Sequence, residues 1–364
     1  MDVILDRKQV VRALDQLTRI TAHSARPVLT GVRIVAASDA VTLAATDTQQ
    51  TMVTRVPAQV LQPGTCVLPG RYLRDLVRRL PGSQVRLRST ADPLAAEVLA
   101  GVSAATVQGF APDQYPRIPD FPAAATITLP SAILQDAIES TAYAAAVRDA
   151  RPLLTGVLLE ASGSQFQALA TDGFRVGLYH TELPLSSPLR CVVPATALAH
   201  VLRILKDGPV CEVATRGDEV FFQVGQTFLA ARVVEGDYPK VLDMIPRNYP
   251  VHCTVPAADL MTALEGVVAA AEDRRLYPTT VALKHQTLVL RAEGPSGGSA
   301  TATIATAYTG EPFRVCFNAR LLLEGLRHLR GAEYVLEFSG ERSIAWFRSV
   351  SEPNLVYMQM PLSE

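Results

Sequence analysis

Along this 364-residue chain one apolar stripe appears six times at a nearly fixed interval. Each copy begins where a short alternating run ends, at Asp6, Pro69, Pro130, Pro194, Pro256 and Asn318, with gaps of 63, 61, 64, 62 and 62 residues. From each start, apolar side chains follow at the fourth, eighth and eleventh positions: Val10, Leu14, Leu17; Leu73, Val77, Leu80; Leu134, Ile138; Leu198, Leu202, Leu205; Leu260, Leu264, Val267; and Leu322, Leu326, Leu329. That spacing marks one face of a helix. Asp and Asn suit the N-cap and Pro the first turn, so the pattern predicts six amphipathic helices, each entered from a strand. Only the third copy departs from it, with Thr141 at the eleventh position.

The six units pair into larger repeats. Residues 25–32 reappear at 150–157, an offset of 125, and at the same offset Ala45-Thr46-Asp47 becomes Ala170-Thr171-Asp172 and Cys66 becomes Cys191. The last third matches through Arg275, residues 277–281 and the Asn318 helix. A period this regular sets the architecture. Proline-rich interruptions at 115–122 and 238–250 divide the chain into domains 1–122, 123–250 and 251–364, each of ordinary domain size. Alternating segments such as 85–88, 220–224 and 334–338 predict antiparallel sheet between the helices, giving an α+β fold of two helices on sheet, three times over.

Composition narrows the class. No apolar run is long enough to cross a bilayer, and the start Met1-Asp2-Val3 enters a strand without a signal-like stretch, so a cytoplasmic, non-membrane protein is expected. Cys66, Cys191 and Cys253 each precede a helix start by three residues and read as buried strand residues, not disulfides or ligands. Net charge is only -1, but cations gather on the helices: Arg7, Lys8, Arg12 and Arg19 on the first, Arg71, Arg74, Arg78 and Arg79 on the second, Arg203 and Lys206 on the fourth, and Arg320, Arg327 and Arg330 on the sixth. Arg148, Arg151, Arg274 and Arg275 follow the third and fifth helices.

Catalytic chemistry is not indicated. The six histidines form no metal-ligand spacing, and no nucleophile elbow, P-loop or dinucleotide fingerprint occurs, so neither cofactor nor metal is expected. Asp172 has a repeat equivalent in Asp47, which makes it a turn residue bonding its own backbone and not a catalytic acid.

Three tandem domains of two half-units, the run Ala-Thr-Asp-Gly-Phe-Arg-Val at 170–176 and a Met-Pro-Leu tail together resemble the bacterial β sliding clamp family, processivity subunits of the replicative DNA polymerase. The resemblance spans the whole chain. It implies a head-to-tail homodimeric ring, with twelve helices around duplex DNA and sheets outside, serving DNA replication as a non-enzymatic factor. Twelve helices at about 10 Å spacing give a ring about 38 Å across at the helix axes. Subtracting the inner half of each helix leaves an opening of roughly 27 Å, wide enough for B-form DNA. By resemblance Arg26, Arg71, Arg148 and Arg151 face DNA, and helix position adds Arg7, Arg74, Arg78 and Arg203. Contacts must be sparse for sliding, because each neutralised phosphate adds a salt-sensitive increment of affinity.

The same resemblance implies a pocket between the second and third domains for short peptides of polymerase, clamp loader and repair proteins. Leu154, Thr171, Gly173, Phe174, Arg175, Val176, Pro239, Met244, Asn318, Ser343, Met358, Met360, Pro361 and Leu362 would form it. Thr48-Gln49-Gln50 stands in the first domain where the second has Gly173-Phe174-Arg175, so the turn is common and its decoration is not. Several positions depart from the family pattern: Asp243 replaces a frequent Arg, Phe174 a frequent His, Glu364 an apolar or basic end, and Ala105 an aromatic at the dimer edge. These departures imply altered affinity for peptides or for small-molecule inhibitors of the pocket. An accessory or inhibitor-resistant paralogue, serving repair or self-protection, is the alternative to the main replicative clamp.

Overall fold

The computed structural model describes every residue except 22–25, 91–93, 124–126, 247, 271–275, 295–296 and 363–364. Strand β1 (Asp2–Asp6) runs into helix α1 (Arg7–Ile20), followed by β2 (Gly31–Ala37), β3 (Ala40–Thr46), β4 (Gln50–Gln62), β5 (Gly64–Pro69), α2 (Gly70–Arg79), β6 (Gln84–Ser89), β7 (Ala95–Ala100) and β8 (Ser103–Gln108). The order recurs as β9 (Ile127–Pro130), α3 (Ser131–Glu139), β10 (Gly156–Ser162), β11 (Gln165–Thr171), β12 (Arg175–Glu182), β13 (Leu189–Pro194), α4 (Ala195–Ile204), β14 (Val210–Arg216), β15 (Glu219–Val224) and β16 (Thr227–Arg232). It recurs once more as β17 (Val251–Pro256), α5 (Ala257–Ala270), β18 (Pro278–Lys284), β19 (Thr287–Glu293), β20 (Ser299–Ala305), β21 (Phe313–Asn318), α6 (Ala319–Leu326), β22 (Glu333–Phe338), β23 (Ala345–Ser349) and β24 (Leu355–Gln359).

Every start point named above opens a helix. Asp6 caps α1 by accepting the Gln9 N–H at 2.9 Å, and Asn318 caps α6 by accepting from Arg320 and Leu321, which satisfies otherwise orphan donors. The apolar stripes are buried except at Leu202, which is half-buried while its neighbour Val201 is enclosed; Leu14, Leu17, Leu73, Leu134, Leu198, Leu264 and Leu326 are fully enclosed. Burial outlasts the helix where the helix is short: Leu80 and Leu329 lie past the ends of α2 and α6 yet are still covered. Thr141 keeps to the rule as well. It is completely buried, and its hydroxyl donates to the Ala137 carbonyl at 2.6 Å, so it presents only a methyl to the core.

The described residues form two compact units, Met1–Ala132 with Thr196–Val233 and Ile133–Ala195 with Val234–Glu364. The first holds a branched antiparallel sheet in the order β8-β7-β6-β1-β4-β16-β15-β14-β9, with β3, β2 and β5 continuing from β4. Its long strand β4 serves three neighbours, pairing with β1 through residues 58–62, with β3 through 51–57 and with β16 through 50–54. The second unit has an eight-stranded sheet, β13-β10-β11-β12-β24-β23-β22-β17, and a four-stranded sheet, β20-β19-β18-β21.

On the eight-stranded sheet Val176 of β12 lies opposite Met358 of β24. Both join Leu158, Leu169, Leu178, Val192, Tyr238 and Val356 in one buried cluster, against which Leu153, Val241, Ile344 and Trp346 pack. Cys66, Cys191, Cys211 and Cys253 are all buried. Burial pushes each of their thiols up to about 12, as expected for groups whose ionised form would lose its hydration.

Candidate functional site

Two regions stand out, one in each unit. In the second unit a cavity of about 430 Å³ opens above the β12–β24 cluster, a size typical of small-ligand and peptide-anchor sites. Its near wall is the turn between β11 and β12, and the repeat comparison explains how that turn is built. In unit 1 Asp47 Oδ1 accepts the N–H groups of Gln49 and Gln50 at 2.9 and 2.7 Å, and Thr46 Oγ1 accepts that of Thr48 at 3.0 Å. In unit 2 Asp172 Oδ1 accepts from Phe174 and Arg175 at 2.9 and 3.1 Å, and Thr171 Oγ1 accepts from Gly173 at 3.0 Å. The two Asp-Thr turns share these three side-chain bonds.

What differs is the side chains on them. Gly173 has φ +93° where Thr48 has φ 78°, and a Cβ on Gly173 would stand 3.3 Å from Arg151 Nη2. Glycine therefore lets the Arg151 guanidinium lie against the turn. Phe174, which follows, is 66% exposed at the mouth of the cavity. Tyr238 fixes the turn from behind, its hydroxyl accepting the Thr171 N–H at 3.2 Å.

Arg175 borders the cavity, but its guanidinium is committed elsewhere. Only 7% exposed, it donates to Asp172 at 3.0 Å, to Glu324 on α6 at 2.7 Å and to the Tyr143 carbonyl at 2.9 Å, and it lies over the Tyr143 ring. Tyr143 in turn stacks on His328 with ring centroids 3.9 Å apart. Burial moves the tyrosine hydroxyl's pKa up and that of the His328 imidazole down, so both are neutral at pH 7.

Of the residues expected in a pocket, Leu154, Thr171, Gly173, Phe174, Arg175, Val176, Pro239, Met244, Ser343 and Met360 line this cavity. Four do not. Asn318 is taken up as the α6 cap, Met358 is wholly buried in the cluster beneath, and Pro361 and Leu362 lie outside the lining, with the Leu362 N–H bonded to the Cys316 carbonyl. Val241, Pro246, Arg342 and Ile344 complete the wall and were not anticipated. Val241 and Pro246 flank the anticipated Met244; Arg342 and Ile344 sit in the β22–β23 connection, which carries no periodic signal. Arg151, expected to face DNA, borders the cavity, paired with Asp149 at 3.0 Å. That contact holds the Asp149 carboxyl below the usual carboxylate range.

The second region is a cationic concavity in unit 1, where Arg71, Arg74 and Arg78 of α2 meet Arg19 of α1 and Arg203 of α4. Arg7, Lys8 and Arg12 extend it along α1. Carboxylates temper the charge: Asp15 pairs with Arg78 and Asp75 with Arg74. Arg7 has a structural task, donating to the Gly82 and Arg78 carbonyls at 2.7 and 3.0 Å at the C-terminal end of α2, where a cation also complements the helix dipole. Arg26 is exposed but outside the concavity, and Arg148 is an exposed residue of unit 2. Sequence reasoning had not singled out His200, which lies among these arginines. Burial, reinforced by Arg203, brings its pKa down to about 4. Arg274, Arg275 and Glu364 lie outside the described residues. Among those described there is no cluster of metal-binding side chains, and no helix is long and apolar enough to cross a membrane.

Comparison with known proteins agrees with a three-part clamp fold. Models of the DNA polymerase III beta subunit match in succession, the N-terminal domain over residues 1–119, the central domain over 128–240 and the C-terminal domain over 243–363. The beta sliding clamp of Bacillus subtilis is 24% identical over 376 residues, covering 100% of this chain and 99% of its own, and that of Staphylococcus epidermidis is 25% identical over 374 with the same coverage. Among solved structures, the Bacillus subtilis DNA polymerase sliding clamp superposes with a TM-score of 0.95 at 22% identity, covering 100% of this chain and 99% of that one. A Pseudomonas aeruginosa clamp bound to griselimycin superposes at 0.93 and 22%, with both chains fully covered. The fold is that of a DNA polymerase sliding clamp. The chain belongs to the DNA polymerase III beta subunit family.

Proposed function

We propose that this protein is a sliding clamp that encircles duplex DNA without sequence preference and tethers the replicative polymerase to it, acting in the cytoplasm as a processivity factor and not as a catalyst. The observation that carries this reading is the end-to-end succession of the three beta-subunit domains, 1–119, 128–240 and 243–363. Two copies joined head to tail would supply twelve helices to a ring. The cationic concavity of α1, α2 and α4 supports phosphate contact of the required kind. Its arginines are interleaved with Asp15 and Asp75, which keeps attraction weak enough for movement along the duplex.

The cavity beside Phe174 and Met244 supports docking of short linear peptides from polymerase, clamp loader and repair proteins. It offers apolar walls for one or two anchors, and an exposed Met able to adapt to different partners. Small molecules of the kind bound by the Pseudomonas aeruginosa relative would occupy the same walls. Loading onto a nicked circular plasmid tests the reading. The protein should stay on the circle through gel filtration and run off once the plasmid is linearised, whereas equal retention on both forms would mean ordinary binding and would reject enclosure.

A further inference from the structure

The cationic concavity of unit 1 contains repeat equivalents of an ion pair in unit 2, and the two places are finished differently. At the offset of 125 that relates the repeats, Gln50 stands where Arg175 does, and His200 and Glu324 each lie six residues past their helix starts, Pro194 and Asn318. In unit 2 the arrangement is closed, because the Arg175 guanidinium donates to both Asp172 and Glu324. In unit 1 it is open. Gln50 Oε1 and His200 Nδ1 are both buried, and neither has a hydrogen-bond partner among the described residues. Buried polar atoms are nearly always bonded, so two orphans on residues of one concavity point to a ligand.

The surrounding charge says of what kind. Burial first, then Arg203 of the same helix, disfavour a charged imidazole; Asp47 on the β3–β4 turn favours it, and Arg19 of α1 opposes it. Asp15 of α1 and Arg71, Arg74, Asp75 and Arg78 of α2 complete the charged lining, five arginines against three aspartates in all, which favours an anion. We propose that His200 is a phosphate-contact residue of this face, one that takes a proton from solvent as a DNA phosphate arrives. This rests on the DNA-encircling role given above. A phosphodiester offers acceptors only, and a neutral imidazole has a single N–H. The imidazolium has two, enough for a phosphate oxygen and for an orphan acceptor such as Gln50 Oε1. The charge of the phosphate also offsets that of Arg203 and Arg19. Arginine contacts hold at any physiological pH, whereas this one strengthens with acid. Restoring His200 from about 4 to between about 6 and 6.5, near the ordinary histidine value, makes binding at pH 5.5 about four- to tenfold tighter than at pH 8. His180, His252, His285 and His328 all lie in unit 2, away from this site.

Two measurements on the full chain test this. Fluorescence anisotropy of a short labelled duplex at low salt should show the intact protein binding about four- to tenfold more tightly at pH 5.5 than at pH 8, and His200→Gln binding nearly alike at both. In an NMR titration with labelled histidine, the midpoint of the His200 ring should rise from about 4 to about 6 or above when the duplex is added, and stay near 4 with inorganic phosphate at equal ionic strength. A midpoint that the duplex leaves unmoved would overturn the proton-linked contact and leave DNA binding standing. A pH response kept in full by His200→Gln would overturn the role of His200. A rise with inorganic phosphate as large as that with the duplex would overturn the DNA backbone as the ligand. Absence of duplex binding at both pH values would remove the DNA-binding role itself. The NMR reading uses the unmutated chain, so it decides even where the variant is destabilised.

Discussion

Replacing Asp47 and Asp172 by alanine, one at a time, compares two turns whose carboxylates accept the same pair of backbone N–H groups in different surroundings. In each, one carboxylate oxygen takes two backbone N–H groups, and losing a cap of this kind costs about 1 kcal/mol. Asp172 has a second task, because its other oxygen accepts from Arg175, whose side chain is only 8% exposed. A hydrogen bond to a charged partner adds about 1.5–3 kcal/mol, toward the lower end here because Glu324 still pairs with the same guanidinium. The expected losses are therefore about 1 kcal/mol for Asp47→Ala and about 2.5–3 kcal/mol for Asp172→Ala. A gap of about 1.5–2 kcal/mol is roughly a 10- to 30-fold difference in local opening. Hydrogen exchange of the β3–β4 and β11–β12 hairpins measures it, with the unmutated hairpin of each variant as internal reference. Equal acceleration of the two hairpins, or a larger effect at Asp47, would refute the assigned load on Asp172.

Other expectations follow from packing and titration. Gly325→Ala improves helix propensity by about 1 kcal/mol, yet it should destabilise the protein by about 1–3 kcal/mol, because a Cβ there would stand 2.3 Å from the Tyr357 ring; a stabilised variant in urea melts would contradict the α6–Tyr357 packing. His200 binds its proton more weakly folded than unfolded, so the stability it contributes is complete above about pH 6.5 and lost as pH falls through about 4. His200→Gln should flatten that slope, and an NMR titration giving the native imidazole a midpoint near 6.5 would dismiss the effect. Cys66, Cys191, Cys211 and Cys253 should resist iodoacetamide at pH 8 until the chain is denatured, and stability should decline as pH rises from about 9 toward 12, where the unfolded thiols ionise first. Peptide mapping that finds any of the four alkylated in native protein would count against their burial.

The helices were the most legible part of the chain, because each hides a single face and a 3.6-residue period is a local signal. Even Thr141, which breaks the apolar count, sits where the period puts it. Strand partnership was not legible. Nothing within residues 50–54 announces pairing with 227–231, since such ladders depend on chain brought in from far away. In the cavity, residues 171–176 could be found because one repeat differs from the other at an otherwise shared turn. Arg342 and Ile344 could not, as they come from an aperiodic connection. That Arg151 borders this cavity could not be read either, because the contact lies across the turn at Gly173, which no spacing rule expresses. The bonds of Arg7 to the end of a neighbouring helix were not legible, because they join residues about 70 positions apart.

The ladders joining β4 to β16 and β12 to β24 make the boundaries between sequence repeats continuous cloth where separate beads on a string would have a seam. Each stitches five residue pairs, so a protease that nicks the proline-rich connector at 115–122 would sever the covalent chain without freeing either fragment. A cut molecule should travel as one particle and come apart only when the sheet itself is melted.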